Sequence, residues 1–220
     1  MESPQAIPAA PHSARMPAVD GLLPSTAGAS AKQASELLLT VLREHEPGLV
    51  DHVASVGRRA RAIAIQMGCP MRDITMISRA AELHDVGKIA IPLTVLRKRS
   101  PFNADEWRTM QEHTLVGQRI LDSIPSLRRI GVLVRSSHER WDGAGYPDGL
   151  AGEEIPLGSR IIFVADAFDA MTEHRSYQRA LTPGQAVEEV RRCAGSQFDP
   201  RVVDAFLSTT SPAATARAWT

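Results

Sequence analysis

The chain has 220 residues, 43% hydrophobic and 23% charged, enough apolar material for a sizeable core. Lys+Arg and Asp+Glu both number 25, so no global field draws it to nucleic acid or to an anionic membrane surface. No apolar run approaches the roughly 20 residues of a membrane helix, and no basic stretch followed by an apolar core marks a secretory leader, so the expected location is the cytoplasm.

Residues 1–30 are rich in Pro, Ala, Ser and Gly without sustained periodicity and read as a disordered tail. A domain is expected over 31–208, followed by a short tail over 209–220. Leu37, Leu38, Val41 and Leu42 recur at helical spacing between Ala31 and Glu46, and Pro47-Gly48 ends that helix. A second helix is expected from Leu49 to Met67, with Val53, Val56, Ala60, Ile63 and Ala64 as its apolar stripe and His52 near its start. A third runs from Met71 to His84 on Ile74, Ile77, Ala80, Ala81 and Leu83. Cys69 and Cys193 have no CxxC spacing and no companions, so neither a disulfide scaffold nor a thiolate zinc site is supported.

His84-Asp85-Val86-Gly87-Lys88 follows, then a compact apolar turn over Ile89–Pro92. Asn103 with Glu106 three residues later is a variant of the capping box and starts a helix through Trp107, His113, Gly117 and Leu121. Another helix is expected over Ser126–Glu139, with His138 at its C-terminal end. The stretch from Asp142 to Gly158 holds five glycines and two prolines and reads as a loop outside the core. Arg160–Met171 is strongly apolar but carries Asp166 and Asp169. A strand is conceivable over Ile161–Val164, yet the aspartate spacing favours a buried helix. Thr182-Pro183 and Asp199-Pro200 each open a further helix. About eight helices and no firm strand give an all-α fold.

His52, His84, Asp85, His113, His138 and Asp166 each sit near a helix end or on an apolar helical face, about one helix and loop apart. Helical bundles assemble metal sites in this way, one ligand per helix projecting inward. A carboxylate in a run as apolar as that around Asp166 is costly to bury unless paired or bound to metal. Imidazole and carboxylate without thiolate suit iron, manganese or another octahedral ion better than structural zinc. Asp85 can offer its second oxygen to a neighbouring ion, and Lys88 can hold a phosphate oxygen.

Four motifs together, His84–Lys88, Glu112–Gly117, His138–Pro147 and Val164–Met171, resemble the HD-GYP branch of the HD superfamily of metal-dependent phosphohydrolases. The resemblance runs from about Ala31 to Leu207. It implies an HD-type helical bundle with a glycine-rich GYP loop, a centre of two divalent ions (iron or manganese), and hydrolysis of the bacterial messenger cyclic di-GMP to pGpG or GMP. By motif match His52, His84, Asp85 and Asp166 hold one ion, and Asp85 bridges to a second held by His113 and His138. Lys88 then meets a phosphate oxygen. Gly145, Tyr146 and Pro147 shape substrate access and a partner surface for GGDEF-type cyclases, and Arg175 and Tyr177 lie near the ligand.

The chain departs from the family's pattern in three places. Ser137 stands where a second-metal histidine is expected, Gly48 where trinuclear members carry a glutamate, and Gln178 where a basic residue is common, although Arg179 is adjacent. Two expectations stay open: an active cyclic di-GMP phosphodiesterase, or a catalytically impaired module that binds the nucleotide or partner signalling proteins.

Overall fold

Four helix starts fall where Ser30, Asn103, Thr182 and Asp199 supply acceptors for free amides of the first turn. The computed structural model describes residues 30–46, 49–173 and 180–210. Helix α1 (Ala31–His45) is closed by a capping box between Ser30 and Gln33. Helices α2 (Leu49–Gln66) and α3 (Met71–Leu83) follow, then a 3₁₀ turn over Val86–Ala90 and the single turn α4 (Leu93–Leu96). Asn103 and Glu106 form the expected box at the start of α5 (Ala104–Asp122). Helix α6 (Arg128–Arg135) is short, α7 (Leu157–Thr172) is the expected buried helix, and Thr182 with Gln185 caps α8 (Pro183–Arg192). Helix α9 (Pro200–Thr210) follows Asp199, whose Oδ1 accepts from the Arg201 amide at 2.8 Å.

The fold is all-α, with only two isolated bridges of extended backbone among the described residues, His138–Tyr146 and Ala194–Phe198. Helix α2 is the axis: it packs against α3, α7 and α9, while α5 lies on α6 and on the 3₁₀ turn. Val56, Ala60 and Ile63 of α2 meet Ile77, Ala80 and Leu83 of α3 and Ile161, Ile162 and Val164 of α7, all buried. Each fully buried Ile, Leu or Val stabilises the bundle by about 1.5–3 kcal/mol. No helix among the described residues is long and apolar enough to cross a membrane.

Three expectations need correction. On α1 the covered ridge is Ala34, Leu38 and Leu42, so Leu37 and Val41 are 41% and 43% exposed. The helix expected over Ser126–Glu139 splits into a 3₁₀ turn (Pro125–Leu127) and α6, which stops at Arg135. The amide and the hydroxyl of Ser137 both bond to the Val134 carbonyl, which tightens the last turn and leaves His138 beyond the helix, in extended backbone. The glycine-rich stretch also contributes to the core through Ile155, which is fully buried.

The turn after Asp85 touches α5 backbone to backbone. A Cβ on Gly87 would lie 1.9 Å from the His113 carbonyl oxygen and 2.6 Å from the Gly117 amide nitrogen. Gly87→Ala is therefore expected to lower the unfolding free energy by about 3 kcal/mol. Gly184→Ala, where nothing lies within 4 Å, should change it by less than about 1 kcal/mol. Urea unfolding of the two variants against the parent checks both.

Candidate metal centre

Three of the four histidines of the cluster, the buried ones, are aimed by a hydrogen bond from Nδ1. The Nδ1–H of His84 donates to the Ala81 carbonyl and that of His113 to the Met110 carbonyl, each at 2.7 Å and each three residues back along its own helix. His52 donates from Nδ1 to Asp169 Oδ2 at 2.8 Å. A carbonyl or carboxylate oxygen can only accept here, so Nδ1 carries the hydrogen and Nε2 faces the centre. His138 is held by its ring instead: it stacks on Tyr146 at 5.1 Å and meets the edge of His113 at 5.0 Å.

The carboxylates lie between these rings. Asp166 Oδ1 is 3.2 Å from His52 Nε2 and 3.6 Å from His84 Nε2. Asp85 turns one oxygen to each side: Oδ2 is 3.5 Å from His84 Nε2, and Oδ1 is 3.6 Å from His113 Nε2. All six expected ligands thus converge. Ligand atoms of His52, His84 and Asp85 lie within 4.8 Å of one another, and so do those of His84, His138 and Asp166 and those of Asp85, His113 and His138. Asp85 belongs to two of these groups.

The electrostatics divide the same way. Burial alone would lower the pKa of His52, but hydrogen bonds to Asp166 and Asp169 and the charges around it push it up to about 10. His84 is raised too, the pull of Asp85 and Asp166 outweighing its burial. On the other side burial and the neighbouring His113 push His138 down to about 3, and burial lowers His113. Burial opposes ionisation of Asp85 and Asp166, yet the surrounding cations and imidazoles hold both below the usual carboxylate range. One half therefore concentrates negative potential that positive charge must balance. The other presents neutral imidazoles whose buried Nε2 atoms, on His113 and His138, have no hydrogen-bond partner among the described residues. A divalent cation satisfies both conditions, so the donor set fits metal.

Lys88 is half-buried and donates to Asp85 Oδ2 at 2.7 Å, which ties its ammonium to the rim of the centre and leaves two hydrogens for a ligand. Tyr146 forms a wall through its stack on His138, and the peptide into Pro147 is cis. Gly145 is required by space, since a Cβ there would lie 2.3 Å from the Arg140 amide nitrogen. Ser137 is buried, and its hydroxyl points back to Val134 rather than into the centre. Arg175, Tyr177, Gln178 and Gly48 lie outside the described residues.

Two functional neighbours, Asp169 and Glu139, are not among the site residues read from the sequence. Asp169 orients His52 and is itself held by the Ser55 hydroxyl and by Arg59, whose guanidinium sits 3.9 Å away and lies over Phe168. Its spacing of three residues from Asp166 places both on one face of α7, which was the available signal. Glu139 is fully buried and accepts the amides of Asp148 and Gly149 at 2.7 and 3.1 Å, pinning the loop that carries Tyr146.

Residues 36–202 match the family model described as HD domain. The chain is 42% identical over 160 residues to a cyclic di-GMP phosphodiesterase response regulator of Xanthomonas campestris, covering 72% of this chain and 41% of that one. It is 40% identical to a cyclic di-GMP phosphodiesterase of Thermotoga maritima (71% and 43% covered) and 38% identical to a 3'3'-cGAMP-specific phosphodiesterase of Vibrio cholerae (75% and 32%). The chain spans less than half the length of each of these relatives. Among solved structures, a cyclic GMP-AMP specific phosphodiesterase of V. cholerae superposes with a TM-score of 0.60 at 20% identity, covering 85% of this chain and 53% of that one. The phosphodiesterase PgpH HD domain of L. monocytogenes, in complex with cyclic-di-AMP, does so at 0.57 and 20%, covering 79% and 94%. These two show the shared fold.

Because Asp169 fixes the ring that presents His52 Nε2, Asp169→Ala is expected to weaken metal binding by about 10–100-fold. Calorimetric titration of the metal-stripped protein with Mn(II) measures it.

Proposed function

The chain belongs to the HD domain family, and from that premise we propose that it hydrolyses a phosphodiester bond of cyclic di-GMP, to pGpG or GMP, at the centre built on Asp85. The carrying observation is that the two Asp85 oxygens face different histidines, His84 on one side and His113 on the other. That arrangement supports a pair of ions: His52, His84, Asp85 and Asp166 would hold one, and Asp85, His113 and His138 the other. Two divalent cations, iron or manganese by donor type, supply charge neutralisation for the phosphodiester and lower the pKa of water. The protein's own groups do the rest. Histidines fixed at Nδ1 keep the Nε2 atoms in register. Lys88 offers its remaining hydrogens to a phosphate oxygen as negative charge builds. The Tyr146 ring excludes water from the His138 side. No side-chain nucleophile is required.

Within the same reading Gly145, Tyr146 and Pro147 edge the substrate's path, and the loop they sit in offers a surface to GGDEF-type cyclases. Arg175 and Tyr177 join the ligand contacts. The setting is cytoplasmic, in keeping with Cys69 and Cys193 as free thiols.

Ser137 favours a second reading, a catalytically impaired module that binds the nucleotide or a partner. With its hydroxyl committed to the Val134 carbonyl, the second half of the centre holds only His113 and His138 as imidazoles.

Purified protein reconstituted with Mn(II) or Fe(II) is expected to hydrolyse cyclic di-GMP, followed by chromatography of the products. Asp85→Ala should lose at least about a hundredfold of that rate. Absence of turnover with every divalent metal would sink the enzymatic reading. In parallel, Ser137→His separates the two readings. A gain of tenfold or more in rate, together with more metal per chain, marks the natural protein as impaired. Efficient turnover by the parent with two ions bound removes the second reading.

A further inference from the structure

Beside Tyr146, α5 and the loop line an open groove formed by Arg108, Gln111, Glu112, Leu115, Tyr146 and Pro147. Tyr146 is common to both sites: its ring stacks on His138 and also takes the edge of Trp107 at 6.0 Å. Trp107 in turn stacks with Phe102 at 6.2 Å and is 46% exposed, so an open aromatic pair adjoins the groove through Tyr146. Such a surface accepts the face of a nucleobase.

Polar groups decide which base. Glu112 precedes His113 in α5, so a helical step of about 100° turns His113 into the metal centre and Glu112 into the groove. The Glu112 carboxylate is exposed to solvent on the groove, with no hydrogen-bond or ion-pair partner among the described residues. An ionised carboxylate only accepts. Guanine presents adjacent donors, N1–H and N2–H, on its Watson–Crick edge. Adenine presents an N1 lone pair there, cytosine a single donor group, and uracil one N–H between two carbonyls. Guanine alone of the four matches a carboxylate with two parallel hydrogen bonds.

We propose that this groove is a guanine subsite, in which Glu112 accepts N1–H and N2–H of the base attached to the nucleotide whose phosphate reaches the metal centre. The inference rests on the phosphodiesterase reading above and adds to it the base that the chain selects. The choice matters because the relatives named above act on messengers that differ in one base, cyclic di-GMP and 3'3'-cGAMP.

Glu112→Gln keeps the shape but replaces one acceptor by a donor. Its kcat/KM on cyclic di-GMP is expected to fall about 10–100-fold, chiefly through KM, because the new amide N–H would face a guanine N–H, donor against donor. That loss should exceed any loss on bis-p-nitrophenyl phosphate, a phosphodiester without a base, by at least tenfold. Equal losses on the two substrates, or unchanged kinetics on cyclic di-GMP, overturn the subsite. Equilibrium dialysis of the Mn(II)-loaded protein against GMP and AMP decides it independently of turnover. The parent should hold GMP at least tenfold more tightly than AMP, and Glu112→Gln should erase that preference. Equal affinities in the parent overturn the proposal even if hydrolysis is observed. Preferential GMP binding without hydrolysis upholds the subsite while the phosphodiesterase reading fails.

Discussion

The structure depends on burying ionisable groups between helices without leaving their charges uncompensated. His52, His84, Asp85 and His113 are almost wholly enclosed, and Asp166 and His138 nearly so. An isolated charge at such depth costs several kcal/mol, so the helices hold their positions only if the charges answer one another. They do so in sequence: Lys88 to Asp85, Asp85 to His84, His84 to Asp166, Asp166 to His52 and His52 to Asp169. The apolar packing of α2, α3 and α7 brings these residues together, and the polar chain determines in which register the helices meet.

Much of this was legible before any coordinates. His84-Asp85 is contiguous, the remaining ligands recur one helix apart, and apolar periodicity placed α2, α3, α5 and α7 to within a few residues. What was not legible has physical reasons. The partnership of Asp169 with His52 spans 117 positions, and nothing local in either segment announces it. The run through Ser136-Ser137-His138 keeps a helical pattern. The helix ends there because a serine and its amide both turn back to one carbonyl, a choice that side-chain patterning does not encode. Leu37 and Val41 lie one step round the helix from the buried ridge, and periodicity alone cannot say which of two adjacent stripes a neighbour covers.

The loop around Tyr146 illustrates a different economy. Its glycine content reads as a loop outside the core, yet the loop is tied at several points. Glu139 takes two of its amides, Arg135 forms a two-pronged ion pair with Asp148 at 2.6 Å, and Trp141 and Asp142 donate their amides to the carbonyls of Gln197 and Ser196. Glycine here serves close approach rather than looseness. A wall built this way is preorganised, so closing around a ligand costs little ordering entropy.

The backbone contact at Gly87 has a consequence for how such proteins diverge. Because the Asp85 turn and α5 touch with no side chain between them, the inward face of α5 is mechanically committed to the spacing of the centre. Its outward face, which carries Trp107, Arg108 and Glu112, touches no part of that contact. Exchange of residues on the outward side of this one helix can therefore reshape the groove beside Tyr146 while the spacing of the histidine–aspartate centre is kept.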